Sequence, residues 1–208
     1  MVTYREGILI CLPQYAGWVM GTHMMSMLAL VRDLCENGVP FDIVAGSDSA
    51  VHRNRYYLTQ TFMNSEWSHM LFIDADIEFT ADDVVKLWNM DSDVAVGVYR
   101  LKREGSELAA HTGGKLMRIE DLPDEPFEVD YAGTGFMLIR RHVLEELGPT
   151  LPRIKTERGE MPRWWSFDVV DGVELPEDYS FCEKVRGLGY KVMMDPSVRL
   201  KHWGLKSW

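Results

Sequence analysis

His69-Met70-Leu71-Phe72-Ile73-Asp74-Ala75-Asp76-Ile77-Glu78-Phe79-Thr80 decides how this chain is read. The run from His69 to Ile73 is short, apolar and closed by a turn, the pattern of a buried strand. Thr80-Ala81-Asp82-Asp83 then opens a helix, with a capping hydroxyl and first-turn acids. Two carboxylates one residue apart therefore stand where a core strand runs out into solvent. Side chains at i and i+2 of a strand share a face, so Asp74 and Asp76 can point into one pocket. Charges that close repel unless a cation neutralises them. A hard divalent ion suits carboxylate oxygens and keeps positions open for substrate phosphates, which points to manganese (Mn2+) or magnesium (Mg2+). Taken alone, the pair also fits two acids in a strand-end turn.

Outward from this stretch the pattern alternates. Residues 7–12 and 41–46 read as strands and residues 50–65 as a helix. Residues 18–37 form a helix with Met24, Met27, Leu28, Val31, Leu34 and Cys35 on one stripe and Gly38 as its stop. The methionines there read as core packing rather than a cofactor box. Val84, Leu87 and Trp88 give the inner face of the helix that Thr80 opens, and residues 93–99 make the next strand. Residues 102–130 read as a polar hairpin excursion around Gly113-Gly114, Asp130 to Arg140 as a strand, and Arg141 to Leu147 as a helix stopped by Gly148-Pro149. Residues 149–176 hold four prolines and no period, and are expected to form a long surface loop carrying Arg163-Trp164-Trp165; such a loop in a small domain is functional or mobile. A last helix starts at Pro176, with Phe181, Cys182, Val185 and Leu188 inward, followed by a strand from Lys191 to Met194. The order implies an α/β fold: one Rossmann-like domain, 1–208, with a mostly parallel sheet covered by helices on both faces and a small antiparallel extension. In such sheets ligands bind beyond the carboxyl ends of the strands, where Pro13, Gly46 and Asp74 fall.

Composition narrows the classes. At 208 residues the chain fits one domain with a real core, and 46% hydrophobic content marks it as globular. A net charge of −10 argues against a broad nucleic-acid-binding face, although Arg53, Arg55, Arg100, Lys102 and Arg103 can form a local basic groove. Cys11, Cys35 and Cys182 lie in apolar segments without metal or redox spacing, and are expected to be buried and reduced. No leader and no membrane span are expected; the reading is a cytoplasmic protein, monomeric or a small homo-oligomer.

Several motifs together resemble family 2 of the GT-A glycosyltransferases: the Asp74-Ala75-Asp76 strand end, the first strand Gly7-Ile8-Leu9-Ile10-Cys11-Leu12-Pro13, the pair Arg53-Asn54, the stretch Ala132-Gly133-Thr134-Gly135-Phe136, the acids in Pro176-Glu177-Asp178-Tyr179, and Leu200-Lys201-His202-Trp203-Gly204. The run from Glu177 to Gly204 is similar to short glycosyltransferases of bacteriophage genomes, which would place the protein in a host cytoplasm.

The resemblance implies a division of labour. Asp74, Asp76 and His202 would hold the metal, with Asp76 the direct ligand. Leu12, Pro13, Tyr15, Ser47, Asp48, Arg53, Asp74 and Ala75 would bind a nucleoside diphosphate sugar, a UDP-sugar first. Asp178, with Glu177, would deprotonate an acceptor hydroxyl, favouring inversion. Gly133, Thr134 and Gly135 would let the acceptor approach the backbone, and Trp164 and Trp165 would form its platform. The acceptor is a saccharide, a protein or a hydroxymethylated base of DNA; nucleic acid enters only as acceptor. Two rivals remain, a non-catalytic nucleotide-sugar or carbohydrate binding module and a sugar nucleotidyltransferase. The second normally carries a Gly-rich basic loop after the first strand, which Pro13-Gln14-Tyr15-Ala16-Gly17 does not resemble.

Overall fold

A computed structural model describes residues 4–204. Its elements run β1 (Arg5–Gln14), α1 (Gly21–Glu36), β2 (Phe41–Ser47), α2 (Val51–Met63), β3 (Trp67–Ile73), β4 (Ile77–Glu78), α3 (Ala81–Asn89) and β5 (Val94–Val98). Then come β6 (Glu107–Thr112), β7 (Lys115–Arg118), β8 (Phe127–Val129), β9 (Tyr131–Ala132), β10 (Phe136–Arg140) and α4 (Arg141–Leu147). The chain continues through β11 (Arg153–Thr156), β12 (Gly159–Pro162), β13 (Asp168–Val170), β14 (Val173–Leu175), α5 (Glu177–Gly187), β15 (Val192–Arg199) and β16 (Lys201–His202).

The central sheet has the order β2-β1-β3-β10-β5-β15-β8. β1, β2 and β3 are parallel, as are β5 and β15, while β10 runs against β3 and β5, and β8 against β15. The central strands are apolar without alternation because both faces are covered. Leu9, Cys11, Met70 and Phe72 face α2, α4 and α5, while Ile8, Ile10, Leu71 and Ile73 face α1 and α3. Neighbouring residues thus serve opposite cores, as the two-residue pleat requires. The expected α/β architecture is present. Among the described residues no helix is long and apolar enough to cross a membrane.

Six local expectations are corrected. Helix α1 buries His23, Ser26, Met27, Leu30 and Leu34, whereas Met24, Leu28 and Cys35 face outward. Two apolar stripes overlap one residue out of phase, and periodicity alone does not choose between them. Leu188 is likewise exposed, because α5 ends before it.

The expected strand Asp130–Arg140 is broken at Gly133–Gly135: β9 pairs with β6 in a small sheet and β10 joins the main one. Residues 149–176 are two hairpins rather than a structureless loop. Asp171-Gly172, both with positive φ, turns the second one between paired Val170 and Val173; this is the dipeptide that hairpin turns prefer. Trp164 and Trp165 are 2% and 0% exposed and belong to the core under α2 and α5. Finally, β15 extends past Met194 to Arg199, and β16 follows it.

Candidate active site

The site is built at the carboxyl ends of β1, β2 and β3. Pro13 pairs with Gly46, and Gln14 with Ser47, so the first two strands end level. Asn54 donates to the Gly46 carbonyl at 2.8 Å and the Gln14 carbonyl at 3.3 Å, stapling those ends together. The Asp74 N–H donates to the Gly135 carbonyl at 2.9 Å, and the Ile77 N–H to the Asp74 carbonyl at 3.0 Å. The second bond makes Asp74–Ile77 a tight turn, not a continued strand. The two acids therefore diverge, Asp74 toward Arg55 and Asp76 toward His202 and Lys102. Both still line one pocket of about 510 Å³.

Asp76 and His202 are brought together by backbone pairing. β16 runs antiparallel to β4 with His202 opposite Ile77, and the Trp203 N–H donates to the Asp76 carbonyl at 2.8 Å. His202 Nδ1 lies 2.9 Å from the Arg100 carbonyl, which only accepts. In a neutral ring Nδ1 therefore carries the proton, and Nε2 turns a lone pair toward Asp76 Oδ1, 3.5 Å away. That oxygen is buried and has no hydrogen-bond partner among the described residues. Burial opposes ionisation of Asp76, but His202, when its ring is protonated, and the Lys102 ammonium outweigh it and hold the carboxyl down to about 2.

A cation between the two atoms would satisfy both, and an imidazole with carboxylate and phosphate oxygens suits manganese. Among the described residues no three His, Cys, Asp or Glu side chains converge to hold a metal ion unaided. Asp74 is committed to Arg55 instead of joining Asp76. A metal here would draw its remaining ligands from substrate phosphate and water.

Arg55 is the buried centre of the site. One guanidinium nitrogen donates to Glu177 Oε1 at 2.5 Å, and the other to Asp74 Oδ1 and Oδ2 at 3.1 and 3.2 Å. It packs near the Trp165 ring, whose Nε1–H donates to Thr59 Oγ1 at 2.9 Å. Asp178, the next residue on α5, accepts the Tyr179 N–H at 2.9 Å. Burial pushes its carboxyl up to about 6, and neighbouring Glu177 adds to the rise against Arg55.

The glycine stretch has a different task from the expected one. A Cβ on Gly133 would lie 2.2 Å from the Tyr99 hydroxyl, and one on Gly135 would lie 2.9 Å from it. That hydroxyl accepts the Gly135 N–H at 2.9 Å. Burial keeps the Tyr99 phenol protonated far above its usual range. The space left by glycine is thus filled by Tyr99, not by a ligand. Thr134 is buried beside it, and its hydroxyl has no partner among the described residues.

Among the expected donor-side residues, Pro13, Tyr15, Asp48, Asp74 and Ala75 line the pocket, joined by Gln14, Trp18 and Ser49. Leu12 is buried in the α1-side core instead, and Ser47 and Arg53 lie outside the lining. Arg53 grips Asp48 with bonds of 2.6 and 2.7 Å, which holds that carboxyl down to about 2. Trp164 and Trp165 expose no ring face and so offer no acceptor platform.

No protein-family model and no curated protein matches the chain. Solved structures do. A197 from STIV aligns over 95% of this chain and 86% of its own, with a TM-score of 0.57 and 20% identity. GalNAc-T7, solved with UDP, GalNAc and Mn2+, aligns over 94% of this chain and 43% of its own, at 0.58 and 12%. The catalytic domain of Drosophila β1,4-galactosyltransferase 7, solved with xylobiose, aligns over 92% and 65%, at 0.52 and 14%. The fold is GT-A.

Within this GT-A frame the sequence underrates three residues. Arg55 and Lys102 are read only as members of a basic groove, and Tyr99 is not singled out. Arg53, Arg55, Lys102 and Arg103 each pair with an acid, namely Asp48, Asp74 and Glu177, Asp76, and Glu107. The expected open groove is thus largely neutralised within the fold. The available signal for Arg55 is its spacing: it lies one helical turn before Thr59, on the apolar face that carries Leu58 and Phe62. A charge on such a face needs a buried partner.

Proposed function

We propose that this chain is a metal-dependent glycosyltransferase, moving a sugar from a nucleoside diphosphate sugar, a UDP-sugar first, to a hydroxyl acceptor with inversion. The observation that carries the reading is the shared guanidinium of Arg55. One buried cation fastens the acid at the donor pocket to the helix that presents Asp178. A binding module has no need to tie these together.

The pocket at the strand ends is the donor seat. Pro13, Tyr15 and Trp18 give apolar surface for the base, and Asp48, Ser49 and Asn54 give polar contacts at its floor. Asp76 and His202 would hold manganese or magnesium, which supplies a Lewis acid for the charge developing on the leaving diphosphate. The presence of UDP and Mn2+ in the GalNAc-T7 structure supports both classes. Lys102, beside Asp76, brings a mobile ammonium to the same phosphates. Asp178 takes the acceptor proton as its oxygen attacks. A carboxyl raised to about 6 is a stronger base than an ordinary aspartate yet is mostly ionised at neutral pH.

A thermal-shift titration tests this. UDP with manganese should stabilise the protein by about 2.7 kcal/mol when ligand reaches ~100 times its dissociation constant. UDP with a chelator should give much less. Equal shifts with and without manganese would remove the metal from the reading.

A further inference from the structure

We propose that the half-buried rings of Tyr131, Tyr179 and His111 form an acceptor subsite for an uncharged saccharide ring, beside the Asp178 carboxylate. The role of Asp178 rests on the glycosyltransferase reading; the ring cluster stands on its own geometry. Tyr131 and Tyr179 stack with centroids 5.3 Å apart and planes 13° from parallel. His111 meets Tyr179 edge-on at 5.1 Å. β6, β9 and the first turn of α5 each contribute one ring, so the cluster is set by the fold rather than by one loop.

Tyr179 and His111 are half-buried, so their polar atoms are only partly withdrawn from solvent. Burial keeps His111 neutral, so it presents one donor and one acceptor. The Tyr131 hydroxyl, by contrast, is fixed on Glu183 Oε2 at 3.0 Å. A half-buried aromatic cluster edged by donors and acceptors suits a sugar ring, with C–H groups on its faces and hydroxyls on its rim.

The local charge selects against an anionic acceptor. Arg186 lies over Tyr131 but is held by Asp130 at 3.0 Å and Glu183 at 3.4 Å. Arg103, whose charge reaches Tyr179, is paired with Glu107 at 3.4 Å. Asp130, Glu183 and Asp178 leave the surroundings negative, and a phosphate backbone would be repelled there. The subsite therefore favours a free or glycan-borne sugar over a base in DNA.

Saturation-transfer NMR on the whole protein, without donor or metal, tests the subsite. The probes are methyl glycosides of glucose, galactose and xylose, with an oligodeoxynucleotide carrying 5-hydroxymethylcytosine as comparison. At least one glycoside should receive saturation on its ring C–H protons from wild type and from Tyr179→Phe. The transfer should fall about fivefold or more in Tyr179→Ala and in His111→Ala. Unchanged transfer in both alanine variants overturns the proposal, as does binding of the oligonucleotide with no glycoside bound. The contact is read without turnover. If it persists in a protein that consumes no nucleotide sugar, the subsite stands and the transferase reading falls.

Discussion

Asp74 and Glu177, from a strand end and a distant helix start, are held by one guanidinium, that of Arg55. Arg55 is almost wholly buried, and so is the Glu177 side chain. Removing one partner of a buried pair strands the other charge, a larger loss than the pair itself contributes. Arg55→Met should therefore cost about 3–5 kcal/mol in urea unfolding at neutral pH. Arg55→Lys keeps the charge but loses the fork that reaches both acids, and should lie between. A loss below ~1 kcal/mol in Arg55→Met would mean that the two acids are solvated, against the burial seen here.

Asp178 links stability and rate to pH in opposite directions. Its carboxyl titrates near 6 in the fold, against about 3.9 in an unfolded chain. Between those values the folded state binds more protons, so this residue's contribution to stability falls as pH rises from about 4 through 6. Asp178→Asn should remove that loss and be more stable at pH 7, by at most about 3 kcal/mol and by less because the carboxylate is partly open to solvent. Transfer should rise with pH through about 6 in the wild type, and fall by about 10² or more in the variant. A variant that is less stable yet equally active would make Asp178 a helix-start acid only.

Gly133→Ala should clash with Tyr99, because the added carbon would meet its hydroxyl at 2.2 Å and the Ala109 Cβ at 3.2 Å. Overpacking of this kind costs about 1–3 kcal/mol. Gly133→Ala combined with Tyr99→Ala should cost less than the sum of the two single losses, because they share that contact. Strict additivity in thermal unfolding would place the two residues apart.

The tryptophan pair is structural. Trp165 stacks on Phe181 with centroids 4.2 Å apart and meets Phe72 edge-on at 5.4 Å. Trp165→Ala should cost about 3–5 kcal/mol. Proteolysis between residues 149 and 176 should run alike with and without nucleotide and manganese, since those residues are paired hairpins. Ligand-dependent protection there would restore a closing lid.

What was legible in the sequence follows from what each signal encodes. Apolar runs such as Val94–Val98 and Met70–Ile73 report burial on both faces, and the parallel sheet follows from them. The Asp74–Asp76 stretch is placed by local pattern and His202 by the family resemblance, and strand pairing brings the latter to Asp76. Three things are not local. The helical phase of α1 depends on which of two overlapping stripes meets the sheet. The buried place of Trp164 and Trp165 depends on hairpins that fold back over α2. The choice of Arg55 over Arg53 depends on which face of α2 turns inward: Arg55 is buried, while Arg53 stays half-exposed on Asp48. The Asp171-Gly172 turn was a readable hairpin signal inside a segment that its prolines made look structureless.

The central claim is tested most directly by nucleotide release. Purified wild type and Asp76→Asn would be given a panel of UDP-sugars with methyl glycosides as acceptors, with manganese or with a chelator, and UDP would be quantified. The account predicts manganese-dependent release from at least one UDP-sugar, increased by acceptor, and lower by about 10² or more in Asp76→Asn while its thermal unfolding stays close to wild type. No release from any UDP-sugar, or equal release from both proteins, would contradict it.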